Sequence, residues 1–190
     1  MDKKSKKLEI LNQEIKACVK CRLAKTRRLA VPGEGSPNAE FMFLGQGPGV
    51  EEDKTGRPFV GRAGRLLSDL FVSAGFERKK VFITSAVKCF PTPPPNRKPG
   101  KDELVVCFPY LERQIVLIKP KKIVLMGDVA FQLFFPKKKL KDYRGKWKKK
   151  DNRNFFATYH PAAGVRFQKF KKILKTDFAN LKKLDFRLFL

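Results

Sequence analysis

Apolar residues gather along this chain in four short runs, each ended by glycine, proline or a polar side chain. The runs are "AEFMFLG" (39–45), "VFITSAV" (81–87), "KIVLMG" (122–127) and "FFATYH" (155–160). Short runs of this kind, bounded by turn residues, read as buried strands. Between them the period changes. Leu8, Leu11 and Ile15 recur at helical spacing within residues 5–17, and "AGRLLSDLFVSAG" keeps that spacing up to a stop at Gly75. "KDELVVCFPYLERQIVLIK" (101–119) is also helical, with Pro109 expected to kink it or to begin a new helix. "DVAFQLFF" predicts a short helix after the third strand, and a basic amphipathic helix runs from about Gln168. "CFPTPPPNRKPG" holds too much proline for regular structure, and "PKKKLKDYRGKWKKKDNRN" reads as a loop or hairpin. Strands alternating with helices predict an α/β domain whose parallel sheet is covered on both faces. Ligands of such sheets bind beyond the carboxyl ends of the strands, here the loops after Leu44, Val87, Met126 and Tyr159.

Composition sharpens this picture in one respect. At 190 residues the chain is read as a single domain, 1–190, with enough apolar residues (42%, including 18 Phe) to bury its own core. Its 43 Lys and Arg against 18 Asp and Glu give a net charge of +25. A solvated basic surface is the plain explanation; a polyanionic partner, nucleic acid above all, explains the excess better, because phosphate neutralisation releases counterions. No run of eighteen apolar residues occurs that would span a membrane, and the basic N-terminus lacks an apolar signal core, so an intracellular protein is expected.

Candidate chemistry lies in the loops. "GQGPGVEEDKTGRPFVGRAGRLL" (45–67) sets Glu51, Glu52 and Asp53 in a row among six glycines, with Phe59 between a proline and a valine. Four cysteines occur as a C-x-x-C pair, Cys18 and Cys21, and two distant singles, Cys89 and Cys107. A disulfide is disfavoured in an intracellular protein, and a thiol-redox C-x-x-C lacks its usual surroundings. Four unrelated buried thiols remain one reading; a four-thiolate site for zinc or an iron–sulfur cluster is the other, and spacing alone does not decide the metal. The chain's single histidine, His160, stands in "YHPAAG" directly after the last strand.

Together, "GQGPGVEEDKTGRPFVGRAGRLL", "ITSAVKCFPTPPPNRKP", the C-x-x-C and "ATYHPAA" resemble the family 4 uracil-DNA glycosylases, over nearly the whole chain. The resemblance implies a three-layer α/β/α sandwich with a central four-stranded parallel sheet. It implies a [4Fe-4S] cluster held by Cys18, Cys21, Cys89 and Cys107, and hydrolysis of the bond between uracil and deoxyribose, the first step of base-excision repair. The substrate implied is uracil-containing DNA, single- or double-stranded, met by a monomer in the cytoplasm, at the nucleoid. Such an enzyme must swing the nucleotide out of the stack and stabilise negative charge on the leaving base. Phe59 would then stack on the uracil, Gln46, Gly47, Pro48 and Gly49 would line it with backbone, and His160 would donate to its O2. Glu52 and Asp53 match the family's acidic pair and would polarise water, stabilise the sugar cation or brace the loop. Arg62, Arg166 and Phe167 are the implied DNA contacts, with Arg166 or Phe167 as the wedge. The "KKK" clusters at 137–139 and 148–150, with Arg144 and Trp147 between them, are expected either to track the DNA backbone or to form a solvated loop.

Two positions depart from the family. Gln46 replaces a usual glutamate, a change family 1 enzymes also carry. Ser85 replaces the asparagine whose amide pairs with uracil O4 and N3–H, and a serine hydroxyl cannot make both bonds. A second reading therefore stands beside the first: a superfamily member with shifted base specificity, or a DNA- or lesion-binding protein of little activity.

Overall fold

The four apolar runs lie side by side in the computed structural model, which describes residues 2–93 and 97–182. In chain order the elements are α1 (Lys3–Ala17), β1 (Glu34–Gly35), β2 (Phe41–Gly45), α2 (Val50–Thr55), α3 (Arg62–Ser73), β3 (Phe82–Ser85), α4 (Lys101–Ile118) and β4 (Lys122–Met126). They continue as α5 (Asp128–Phe134), α6 (Leu140–Tyr143), β5 (Trp147–Lys150), β6 (Arg153–Thr158), α7 (Pro161–Arg166) and α8 (Gln168–Asn180). The sheet runs β1-β3-β2-β4-β6-β5. Its inner four strands are parallel, and each edge carries one antiparallel strand. The expected four-stranded sheet is thus corrected to a mixed sheet of six.

Both additions have local causes. β1 is only two residues long, too short for any periodic signal. β5 is "WKKK", whose lysines face solvent at an edge where charge blocks further pairing. Asp151 and Asn152, both with positive φ (48° and 56°), close the β5–β6 hairpin as the two-residue turn such a twist requires. β6 starts two residues before the apolar run, at Arg153, and stops at Thr158, which leaves Tyr159 and His160 free at the mouth of the sheet.

The alternation of each inner strand fills two cores. Met42, Leu44, Ile123 and Leu125 pack with Leu111, Ile115 and Phe131 on one face. Phe41, Phe43, Val124 and Met126 pack with Leu67, Phe71, Leu174 and Phe178 on the other. Strands buried on both faces read as unbroken apolar runs, hence their clarity in sequence. α4 continues through Pro109 as one helix. The hydrogen bond that proline denies would have ended on Val105, which is 72% exposed, so water can take that carbonyl while Leu111, Ile115 and Ile118 hold the helix to the sheet.

The lysine-rich insert is anchored more firmly than a solvated loop. Arg144 donates to buried Asp177 at 2.6 Å, whose other oxygen accepts from Thr158 at 2.7 Å. Trp147 packs 5.2 Å from Phe156. These contacts tie Arg144 and Trp147 to the fold.

Candidate active site

Phe59 sits in the turn between α2 and α3 in a left-handed conformation, φ 50°, costly for a residue with a side chain. Neighbouring groups hold it there. The Glu52 carboxylate accepts from the Val60 and Gly61 N–H groups, both at 2.8 Å, and from Gly49 N–H at 3.0 Å. It thereby ties the glycine-rich loop after β2 to the turn carrying Phe59. Gly64 of α3 lies against the Phe59 carbonyl, where a Cβ would fall 2.0 Å from the oxygen. The Phe59 ring is buried and lies 5.6 Å from the His160 ring, tilted by 30°. Gly45, at the end of β2, makes room for both: a Cβ there would meet Phe59 Cζ at 2.6 Å and His160 Nε2 at 3.5 Å.

His160 caps the N-terminus of α7. Its Nδ1 accepts from Ala162 N–H at 3.2 Å, so the neutral ring carries its proton on Nε2. That Nε2 is shielded from solvent and has no hydrogen-bond partner among the described residues. Burial pulls the imidazole down to about 4, against the opposing pull of the Glu52 charge. The site therefore presents a neutral N–H donor with nothing to receive it, the arrangement a developing anion needs.

Both rings line a cavity of about 390 Å³ after the carboxyl ends of the inner strands. Gln46, Gly47, Pro48 and Gly49 form one wall, and Ser85, buried at the end of β3, another. Arg166 and the exposed Phe167 stand at the rim with Ala162 and Ala163. The volume is that of a small-ligand site. Two predicted residues lie elsewhere. Asp53 turns away, its carboxylate accepting from Arg28 N–H at 3.0 and 3.1 Å, and it does not line the cavity. Arg62 lines a neighbouring crevice with Arg65 and Lys171. Arg97, which sequence reasoning missed, lines the cavity, and its carbonyl accepts from the Gln46 amide at 3.4 Å. Its only signal was a charge inside a proline-rich loop. Arg78 and Glu34, behind the Phe59 turn, were missed as well.

The four cysteines, scattered in sequence, line one small cavity between α1, the loop after β3 and α4. Arg27 donates to Cys89 Sγ at 3.0 Å, and Lys88 N–H to Cys107 Sγ at 3.3 Å. Burial pushes the Cys89 thiol up to about 11 despite Arg27, so a cationic centre has to displace its proton. Among the described residues no three candidate ligands converge as one metal ion requires. Four sulfurs around a common cavity are a donor set that zinc and iron–sulfur centres share. Two links join this cavity to the first. Lys88, fully buried, donates to Thr84 Oγ1 (2.6 Å), the Ser85 carbonyl (2.8 Å) and Gln114 Oε1 (2.8 Å). Glu103, also fully buried, accepts from Arg22 beside Cys21 (2.6 Å) and from Arg97 (2.6 and 2.8 Å). The Arg97 bonds lead the causes that bring its carboxyl down to about 2.

Comparison with known proteins agrees with this geometry. Residues 32–182 match the family model described as the uracil DNA glycosylase superfamily. A protein of Sulfurisphaera tokodaii named type-4 uracil-DNA glycosylase is 46% identical over 187 residues, covering 93% of this chain and 84% of its own. Proteins of the same name from Saccharolobus solfataricus (42%; 92% of this chain, 85% of its own) and Pyrobaculum aerophilum (41%; 84% and 85%) are similar. Cys18 and Cys21 precede the superfamily match, yet a pairing that takes in 93% of the chain includes them.

Proposed function

The chain belongs to the uracil-DNA glycosylase superfamily, and from that premise we propose that it hydrolyses the glycosidic bond of uracil in DNA. The observation that carries the reading is the meeting of the Phe59 ring with the unpartnered His160 Nε2–H in a cavity of small-ligand size. An everted uracil stacks on Phe59, between the backbone of 46–49 and Ser85. As the C1′–N1 bond breaks, its electron pair passes to the base, and the charge collecting on O2 is met by the His160 donor. Water adds to C1′, and the proton it gives up balances the uracil anion, so that the products are the abasic sugar hydroxyl and neutral uracil. The Glu52 carboxylate, on the cavity wall, favours the cationic sugar electrostatically while bracing the loops that define the cavity. Asp53 supports the site from behind, through Arg28. Arg166 and Phe167 at the rim contact the strand that the base has left.

Cys18, Cys21, Cys89 and Cys107 would hold a [4Fe-4S] cluster, which supplies a covalent tie among the N-terminal segment, the loop after β3 and α4. The protein acts on DNA as a monomer at the nucleoid; among the described residues no helix is long and apolar enough to cross a membrane.

Ser85 supports one second reading, altered base preference, because its hydroxyl cannot read both O4 and N3–H of uracil. Single- and double-stranded oligonucleotides bearing uracil, hypoxanthine or xanthine, followed by alkaline cleavage of abasic sites, test both. Release of uracil is expected; release of a purine base alone favours the second reading.

A further inference from the structure

Phe59 is pinned on two sides. Glu52 takes the N–H groups that follow it; the carbonyls of Pro58 and Phe59 point the other way, to Arg78. Arg78 lies in the short turn before β3, away from the cavity, and donates to Phe59 O at 3.3 Å and to Pro58 O. Its Nε donates to Glu34 at 2.7 Å, and Glu34 accepts from Arg57 at 2.9 Å. Burial pushes Glu34 up, but the two guanidinium groups outweigh it and hold the carboxyl below its ordinary value. β1 carries this residue. Gly33 and Gly35, both at φ 128°, flank Glu34, and a Cβ on either would strike the β3 edge, 2.7 Å from Ile83 O and 1.9 Å from Val81 O. The "GEG" triplet thus lays Glu34 flush against the sheet, where it orients the Arg78 fork. Without the fork, nothing else described satisfies the Phe59 and Pro58 carbonyls from that side, and the strained φ has a relaxed alternative.

We propose that Arg78, oriented by Glu34, is a positioning residue for base recognition: it clamps the carbonyls of 58 and 59 so that the Phe59 ring is already in place when the base arrives. This rests on the glycosylase reading, and two measurements keep the two apart. The first is the crystal structure of Arg78→Ala, in which Phe59 is expected to leave the left-handed region or to lose a single ring position; an unchanged Phe59 overturns the clamp whatever the activity. The second is single-turnover uracil release by the wild type, Arg78→Ala, Phe59→Ala and the double variant. Arg78→Ala is expected to slow release about ten- to a hundred-fold, and the double variant to be no slower than Phe59→Ala alone. Effects that multiply overturn the clamp, because Arg78 would then act independently of Phe59. Should Arg78→Ala not fold, Arg78→Lys takes its place. It keeps the pair with Glu34 but cannot fork across two carbonyls, so a smaller loss, again absent in the Phe59→Ala background, is expected. A wild type that releases no uracil sinks the glycosylase reading and leaves the crystallographic result standing.

Discussion

In the proposed reaction His160 acts as a neutral donor, and its surroundings fix the pH range in which it can. Its value near 4 lies below the ordinary 6.5, so uracil release is expected to stay level from about pH 8 to pH 5 and to fall only as the ring charges near 4. Stability follows the same group. Between 6.5 and 4 the unfolded chain takes up a proton that the folded chain refuses, so stability drops as pH falls through that window, by up to about 3 kcal/mol from His160. Denaturant melts at pH 7 and pH 4.5, compared with His160→Gln, isolate that part. At Ser85 the expected change is a gain: Ser85→Asn restores a two-point contact to the pyrimidine edge and should raise uracil release about tenfold. A loss there would mean that Ser85 does not face the base. The family resemblance singled out Phe59 and His160, and the fold brings their rings to 5.6 Å, His160 from just after β6 and Phe59 from the turn between α2 and α3. The parting of Glu52 and Asp53 was not legible in the sequence. Adjacent acids on a helix of six residues point different ways, one toward the Phe59 turn and one toward Arg28, and no spacing rule reports which.

Among the elements, the inner strands announced themselves and the edges did not, since burial on both faces is what makes a strand visible in sequence. α7 was missed for the opposite reason. Its six residues are too few for a period, although proline directly after His160 is the usual first residue of a helix. The cysteine-bearing segments are joined by Glu103, whose buried carboxylate holds Arg22 and Arg97 across gaps of 81 and 6 residues. Glu103→Ala removes the buried carboxylate that both guanidinium groups share and, because Arg22 is largely exposed and can turn to water, should cost about 1–2 kcal/mol in chemical denaturation. Arg97 also supports Gln46, so the same variant is expected to slow uracil release modestly, linking the thiol cavity to the base cavity.

Across the described molecule, the two lysine clusters and the chemistry occupy different ends. Lys150 pairs with Arg153 at the start of β6 and donates to Phe134 O at 2.6 Å, which gathers lysines 137–139 and 148–150 around that end. His160 follows the other end of β6, and its six residues span about 20 Å. The lysine clusters therefore stand apart from the site of base removal. Replacing Lys148, Lys149 and Lys150 by Glu should flatten the salt dependence of binding to long duplexes while leaving single-turnover release from a short oligonucleotide near the wild-type rate. The central claim is narrower, and one comparison tests it most directly: single-turnover release of uracil by the wild type and by His160→Ala, on the same single-stranded oligonucleotide at pH 7.5. Loss of the His160 donor to the leaving base predicts a fall of about a hundred- to a thousand-fold, beyond the stability cost of about 1 kcal/mol for the lost α7 cap, which a denaturation curve at that pH measures. Release at the wild-type rate without the imidazole would contradict the account.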